Sequence, residues 1–291
     1  MDFNDDVRLD PSQVEVRRGG GRRTAAAGGG LVGILGLLAV LFFGVNPFEE
    51  PQPQQPGAQG SPQQVQEASD VQKKCLTGLD AEKDADCLVV GVVNSVQDYW
   101  SKVFANSGLT YTPAKTQLFE AATQTGCGYA TAKAGPFYCP ADQKVYLDLT
   151  FFDDLQSQFG AQGGPAAQAY VIGHEYGHHV QNLLGVMNRV DRSTGASSGA
   201  VRLELQADCY AGVWMRNAVQ TGYLAQITQR DIDQAVSAAE AVGDDRIQSR
   251  AQGYVRPDGF THGTSEQRVK WLTTGYSSGE PTRCDTFRGA I

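Results

Sequence analysis

Within residues 171–180 the chain reads His174-Glu175-Tyr176-Gly177-His178. On a helix, His174 and His178 stand one turn apart on the same face. Both imidazoles then reach a single zinc ion at about 2.0–2.1 Å. Glu175 is turned about 100° from His174, so it borders the ion without having to bind it. There it is placed to take a proton from an activated water. Three of the chain's four histidines fall in this stretch. The third of them, His179, lies off the shared face and reads as a surface histidine or one that backs the ligands.

The elements that must position this pair are legible on both sides of it. Gly163-Gly164-Pro165 reads as a loop and then a helix start with Pro in the first turn, and Gly185 reads as the stop. Ala169, Ile172, Tyr176, Val180 and Leu183 form an apolar stripe at helical spacing between them. A catalytic zinc needs a third protein ligand and keeps its fourth position open. The solution with a third histidine at position 184 and a glycine at 181 is excluded, because those positions hold Leu184 and Gln181. Residues 201–212 again have helical apolar spacing and set Glu204 and Asp208 on one face at i, i+4. Two acids on one half-buried face repel unless each has a cationic partner. Zinc for Glu204 and a zinc-ligating histidine for Asp208 meet that need; Asp208 as the direct ligand is the alternative. The expected cofactor is one Zn2+ per chain, held by His174, His178 and Glu204.

The His174–His178 motif followed by Glu204-Leu205-Gln206-Ala207-Asp208 resembles the gluzincin arrangement. The surrounding words, Gly128-Tyr129-Ala130-Thr131-Ala132, Gly135-Pro136-Phe137-Tyr138-Cys139-Pro140, Val145-Tyr146-Leu147-Asp148-Leu149 and Thr261-His262-Gly263-Thr264-Ser265-Glu266-Gln267-Arg268, resemble the bacterial "putative neutral zinc metallopeptidase" family. That family is membrane-anchored, and the resemblance covers nearly the whole chain. It implies a zincin-like peptidase fold, in which an edge strand above the metal helix pairs with extended substrate, here near Cys127–Ala132. Related membrane zincins carry a similarly spaced histidine and arginine beside the active site. By that analogy His262 is a catalytic residue donating to the oxyanion, and Arg268 holds the acidic Asp208 behind the ligands.

Length allows one sizeable domain plus a tail. Residues 1–24 are polar, with five arginines balanced by five acids and few aromatics, and read as a disordered cytoplasmic arm. Residues 25–45 carry no charge and just reach the length of a membrane span. Arginines precede them and Glu49-Glu50 follow, which puts the N-terminus in the cytoplasm and the rest outside. A cleaved signal peptide is the rival, but no Ala-x-Ala-like site follows Phe43. Residues 46–70, rich in Pro, Gln, Gly and Ser, read as an extended linker. The ordered domain is expected over 71–291.

All six cysteines lie beyond the uncharged stretch. An even count points to disulfides in an oxidising compartment. Of the possible pairings, neighbour pairing is expected: Cys75–Cys87, Cys127–Cys139 and Cys209–Cys284. Cys87 to Ser107 has helical spacing. Tyr111 to Asp154 reads as strands, most strongly at Lys144–Leu149. A further helix is expected from Thr228 to Val242, with Thr228 and Asp231 as a capping pair, and Thr264 with Gln267 opens a short helix that Gly275 closes. Acids and bases balance in the first 45 residues, so the whole net charge of −8 falls on the remainder. An acidic surface argues against nucleic acid as a partner.

Together these observations predict an α+β zincin-like domain with a HExxH helix, a small edge β-sheet and a second ligand helix, on a single N-terminal transmembrane helix. The expected protein is a single-pass, extracytoplasmic zinc metallopeptidase of the bacterial cell membrane, with a peptide or protein substrate. The competing reading is a zinc-stabilised envelope protein that binds a partner and cuts nothing. A non-peptidase zinc hydrolase is a third, since the motif specifies activated water and not the bond attacked.

Overall fold

The structure is a computed structural model that describes residues 1–18, 70–191 and 193–291. In chain order it begins with β1 (Asp2–Phe3) and β2 (Val14–Arg18), then α1 (Gly78–Lys83) and α2 (Ala85–Asn106). The strands β3 (Lys115–Glu120), β4 (Ala122–Thr125), β5 (Gly128–Thr131), β6 (Phe137–Cys139) and β7 (Lys144–Asp148) follow. Then come α3 (Thr150–Ser157), α4 (Pro165–Leu183), α5 (Gly199–Asn217), β8 (Leu224–Gln226), α6 (Gln229–Ala241), α7 (Asp244–Gln252) and α8 (Ser265–Ser278). This mixed architecture matches the expected α+β class.

Local chemistry sets most of the helix ends. Asp84 caps α2 by accepting from the backbone of Asp86 and Cys87. Thr228 with Asp231 and Thr264 with Gln267 form the expected capping boxes of α6 and α8. Pro165 opens α4, where its missing N–H costs nothing. Gly275 is not the stop it reads as: it lies inside α8, and Gly279, with φ 65°, takes the left-handed position beyond the end. The reason is packing. A Cβ on Gly275 would meet the Cys209 carbonyl oxygen at 2.0 Å, and one on Gly212 would meet the Leu272 carbonyl oxygen at 2.1 Å. These two glycines let α5 and α8 touch backbone to backbone, and α8 carries Arg268 to the ligand helix. Gly275→Ala is expected to destabilise the fold by about 1–3 kcal/mol, read as a lowered midpoint in thermal denaturation.

The main sheet runs β2-β3-β7-β6, with β2, β3 and β7 parallel and β6 antiparallel to β7. β4 and β5 form a separate hairpin. The edge strand next to the ligand helix is thus β6, and the family-implied edge near Cys127–Ala132 is corrected. Among the described residues Gly128–Thr131 pairs only with β4 in that hairpin, and the Cys127–Cys139 disulfide tethers it to β6. β6 is too short and too uniformly buried to show the alternation that marks a strand in sequence.

The reading of residues 1–24 as a free arm is corrected for residues 1–18, which are built into the domain. β2 pairs in register with β3 from Val14↔Thr116 to Arg18↔Glu120, and β1 pairs with β8. Phe3, Leu9, Val14 and Val16 are buried in the main core. Phe3 packs so closely on α2 that a Cβ at Gly91 would meet its ring at 2.4 Å. The balanced charge count concealed an ordinary strand pattern, Val14-Glu15-Val16. The expected span at 25–45 and, apart from Asp70, the expected linker at 46–70 lie outside the described residues. Among the described residues no helix is long and apolar enough to cross a membrane.

Candidate metal centre

α4 and α5 lie against each other and bring His174, His178 and Glu204 to one point. One ligand atom from each falls within 4.8 Å of the others. His174 Nε2 is 3.2 Å from Glu204 Oε2, and His178 Nε2 is 3.1 Å from Glu204 Oε1. Glu204 is 1% exposed, and its Oε1 is buried without a hydrogen-bond partner despite that approach. A buried carboxylate with one orphaned oxygen, facing an imidazole nitrogen from each of two histidines, is the donor set that zinc takes in a catalytic site.

The groups behind the ligands turn both rings the right way. His174 Nδ1–H donates to Asp208 Oδ1 at 2.7 Å, so in the neutral ring the Nε2 lone pair faces Glu204. His178 Nδ1 lies 2.8 Å from Gln181 Oε1, which accepts its proton. Asp208 is fully engaged. Its Oδ1 accepts from the Tyr170 hydroxyl at 2.6 Å and from Arg268 at 2.9 Å, and its Oδ2 accepts from Arg268 Nε at 2.9 Å. Asp208 therefore backs His174, and the alternative in which it binds the metal directly does not match this geometry. Tyr170 went unnoticed in the sequence, although it lies one turn before His174 on the same helix face.

The electrostatics ask for a cation at this point. Burial works against a charge on His174, yet Asp208 and Glu204 outweigh it and push its pKa up to about 10. Burial also opposes charge on Glu204, but His178 and His174 beside it hold its carboxyl well below the usual range. Asp208 is held down against burial by Arg268 and His174. Two buried carboxylates thus stay ionised around a proton or a metal ion in the same place. Glu175, 7% exposed, is pushed up by burial, with His174 and His178 opposing.

His174, Glu175, His178 and Glu204 line a cleft of about 190 Å³ whose walls include Phe137 and Tyr138 of β6, Phe151, Val171, Leu203 and Val242. His262 lines the same cleft. Its Nδ1 is 3.2 Å from Asp244 Oδ1 and 3.0 Å from Thr261 Oγ1. Asp244 Oδ2 also accepts the backbone N–H groups of Thr261, His262 and Gly263 at 2.7, 2.7 and 3.0 Å. The first turn of α7 thereby pins the His262 loop. Nothing in the sequence singled out Asp244, because its partners are the backbone of a loop many residues away.

His179 is not at the surface. It is 0% exposed, because α4 is buried on all sides and leaving the ligand face does not mean reaching solvent. Its Nε2–H donates to the Thr112 carbonyl at 2.7 Å, and the Tyr138 hydroxyl meets its Nδ1 at 3.0 Å. Burial lowers its pKa to about 4. His179 thus holds β6, through Tyr138, against the ligand helix. All six cysteines pair as expected: Cys75–Cys87, Cys127–Cys139 and Cys209–Cys284.

Sequence comparison bears on the same residues. The chain is 48% identical over 225 residues, 75% of either chain, to the uncharacterized protein Rv2575 of Mycobacterium tuberculosis. It is 46% identical over 206 residues, 69% of this chain and 70% of the relative, to the uncharacterized protein YpfJ of Escherichia coli. No solved structure matches the chain. The family described as "Putative neutral zinc metallopeptidase" matches residues 4–287, which take in β2, both ligand helices and the last disulfide, and the chain belongs to that family.

Proposed function

We propose that the chain is a zinc-dependent peptidase whose metal is held by His174, His178 and Glu204. The observation that carries this reading is the convergence of those three donors beside Glu175 in an open cleft. Zinc, when bound, supplies a Lewis acid that polarises a carbonyl and makes water acidic enough to deprotonate near neutral pH. Glu175, next to the ligands and raised by burial, accepts the proton of the attacking water and hands it to the leaving amine. His262, whose Nδ1–H faces Asp244, lines the cleft and in its doubly protonated form offers Nε2–H to the developing oxyanion, with Asp244 balancing the charge. Arg268 keeps Asp208 ionised and aimed at His174. Extended peptide adds to the free edge of β6, which borders the cleft. The three disulfides favour an oxidising, extracytoplasmic compartment.

The test is zinc content and peptide-library cleavage of the intact chain, with Glu204→Gln alongside. The wild type is expected to hold one zinc and to cleave. Glu204→Gln removes the anionic ligand and is expected to retain zinc at least about tenfold more weakly. Unchanged metal affinity in that variant would remove Glu204 from the ligand set. A wild type that binds zinc and cleaves no peptide would favour the partner-binding reading.

A further inference from the structure

His178 is backed differently from His174. Behind His174 stands an ion pair, whereas behind His178 stands a neutral chain of two side-chain amides that ends at the carboxy-terminal disulfide. Gln181 Oε1 meets His178 Nδ1 at 2.8 Å. Its Nε2 donates to the Leu203 carbonyl at 2.7 Å and to Gln206 Oε1 at 3.2 Å. Gln206 Nε2 in turn donates to the Cys284 carbonyl at 2.9 Å. Both glutamines are buried, and Cys284 is bonded to Cys209 of α5.

A carbonyl oxygen only accepts, so the carbonyls of Leu203 and Cys284 dictate which end of each amide faces which way. With Nε2 of Gln206 committed to Cys284, its Oε1 faces Gln181. With Nε2 of Gln181 committed to Leu203 and Gln206, its Oε1 faces His178. The histidine must then carry its proton on Nδ1 and present the Nε2 lone pair to the metal. Resting on the zinc reading above, we infer that Gln181 and Gln206 are positioning residues for His178, and that the Cys209–Cys284 disulfide anchors the far end of the relay. The tail disulfide is on this account part of the metal centre. Leu203, whose carbonyl Gln181 also holds, adjoins Glu204, so the same relay steadies two of the three ligands.

The experiment measures the zinc dissociation constant of the intact protein by competition with a chromophoric chelator. It compares wild type, Gln206→Leu, the pair Cys209→Ser/Cys284→Ser, and their combination. Loss of a group that orients a ligand costs on the order of tenfold in metal affinity. Gln206→Leu is expected to weaken zinc about tenfold in the wild-type background. It should change affinity little once the disulfide is gone, because members of one network are not additive. Gln206→Leu that keeps the wild-type circular dichroism and binds zinc as the wild type does would overturn the relay, as would equal effects in both backgrounds. Should the disulfide pair fail to fold, Gln181→Leu takes its place in the cycle, where Gln206→Leu should add nothing further and full additivity overturns the inference. A wild type that takes up no zinc at all would sink the metal site itself, a result distinct from unaltered affinity in the variants.

Discussion

Glu175→Gln is expected to take up zinc as the wild type does and to cleave peptides about 10²–10⁴-fold more slowly, the usual contribution of a positioned general base. The substitution is nearly isosteric, and Glu175 belongs to neither set of groups that holds the donors in place. His174 is set by Asp208, Tyr170 and Arg268, and His178 by Gln181. The amide keeps the shape and loses the base. Zinc analysis and steady-state kinetics on the same preparation separate the two effects. Retained zinc with wild-type rates would remove Glu175 from the chemistry, while lost zinc would make it a structural part of the centre.

A chain that starts at residue 70 is expected not to hold the native fold, even though it contains every residue proposed for catalysis. It lacks Phe3, Leu9, Val14 and Val16, all buried in the main core. Each is worth about 1.5–3 kcal/mol of burial, and the sum rivals the whole stability of an ordinary domain, about 5–15 kcal/mol. Losing β2 also opens the parallel edge of β3, leaving a row of unpaired backbone groups prone to aggregation. Circular dichroism and thermal denaturation of this truncated chain, with and without a synthetic peptide of residues 1–18, provide the check. The peptide should restore a cooperative transition. A truncated chain that melts within a few degrees of the intact one would show that residues 1–18 lean on the domain without supporting it.

The metal centre was the most legible part of the sequence, because its geometry is local. His174, Glu175 and His178 sit on one helix turn, and Glu204 and Asp208 on another, so spacing alone placed them in register. What escaped was held by contacts between distant segments. Asp244 reaches the His262 loop through backbone amides, which leave no mark on composition. Gln181 figured in the sequence only as the residue that excluded a third histidine ligand. The role of β2 was hidden because charge counting averages over a strand of five residues. The β6 edge was misplaced because a three-residue buried strand has no period to read, and Gly275 was taken for a helix end when it marks a helix crossing.

The pairing of β1 with β8 and of β2 with β3 also has a meaning in time. The Asn4 side chain bonds the Gly222 carbonyl across 218 residues, and Lys115 reaches the Ser12 carbonyl across 103. Contacts of such separation close late and slow folding. The Cys75–Cys87 and Cys127–Cys139 bridges each enclose a separation of only 12, whereas Cys209–Cys284 spans 75. During synthesis the two short bridges can therefore form while residues 2–18 still wait for β3 and β8. The last steps then bring together Cys284, Arg268 and the N-terminal strands, the elements that brace the metal helices from outside. A nascent chain of this design brings the proposed zinc ligands and their supports together only when it is nearly complete, so the proposed activity would wait until the molecule around the site has closed.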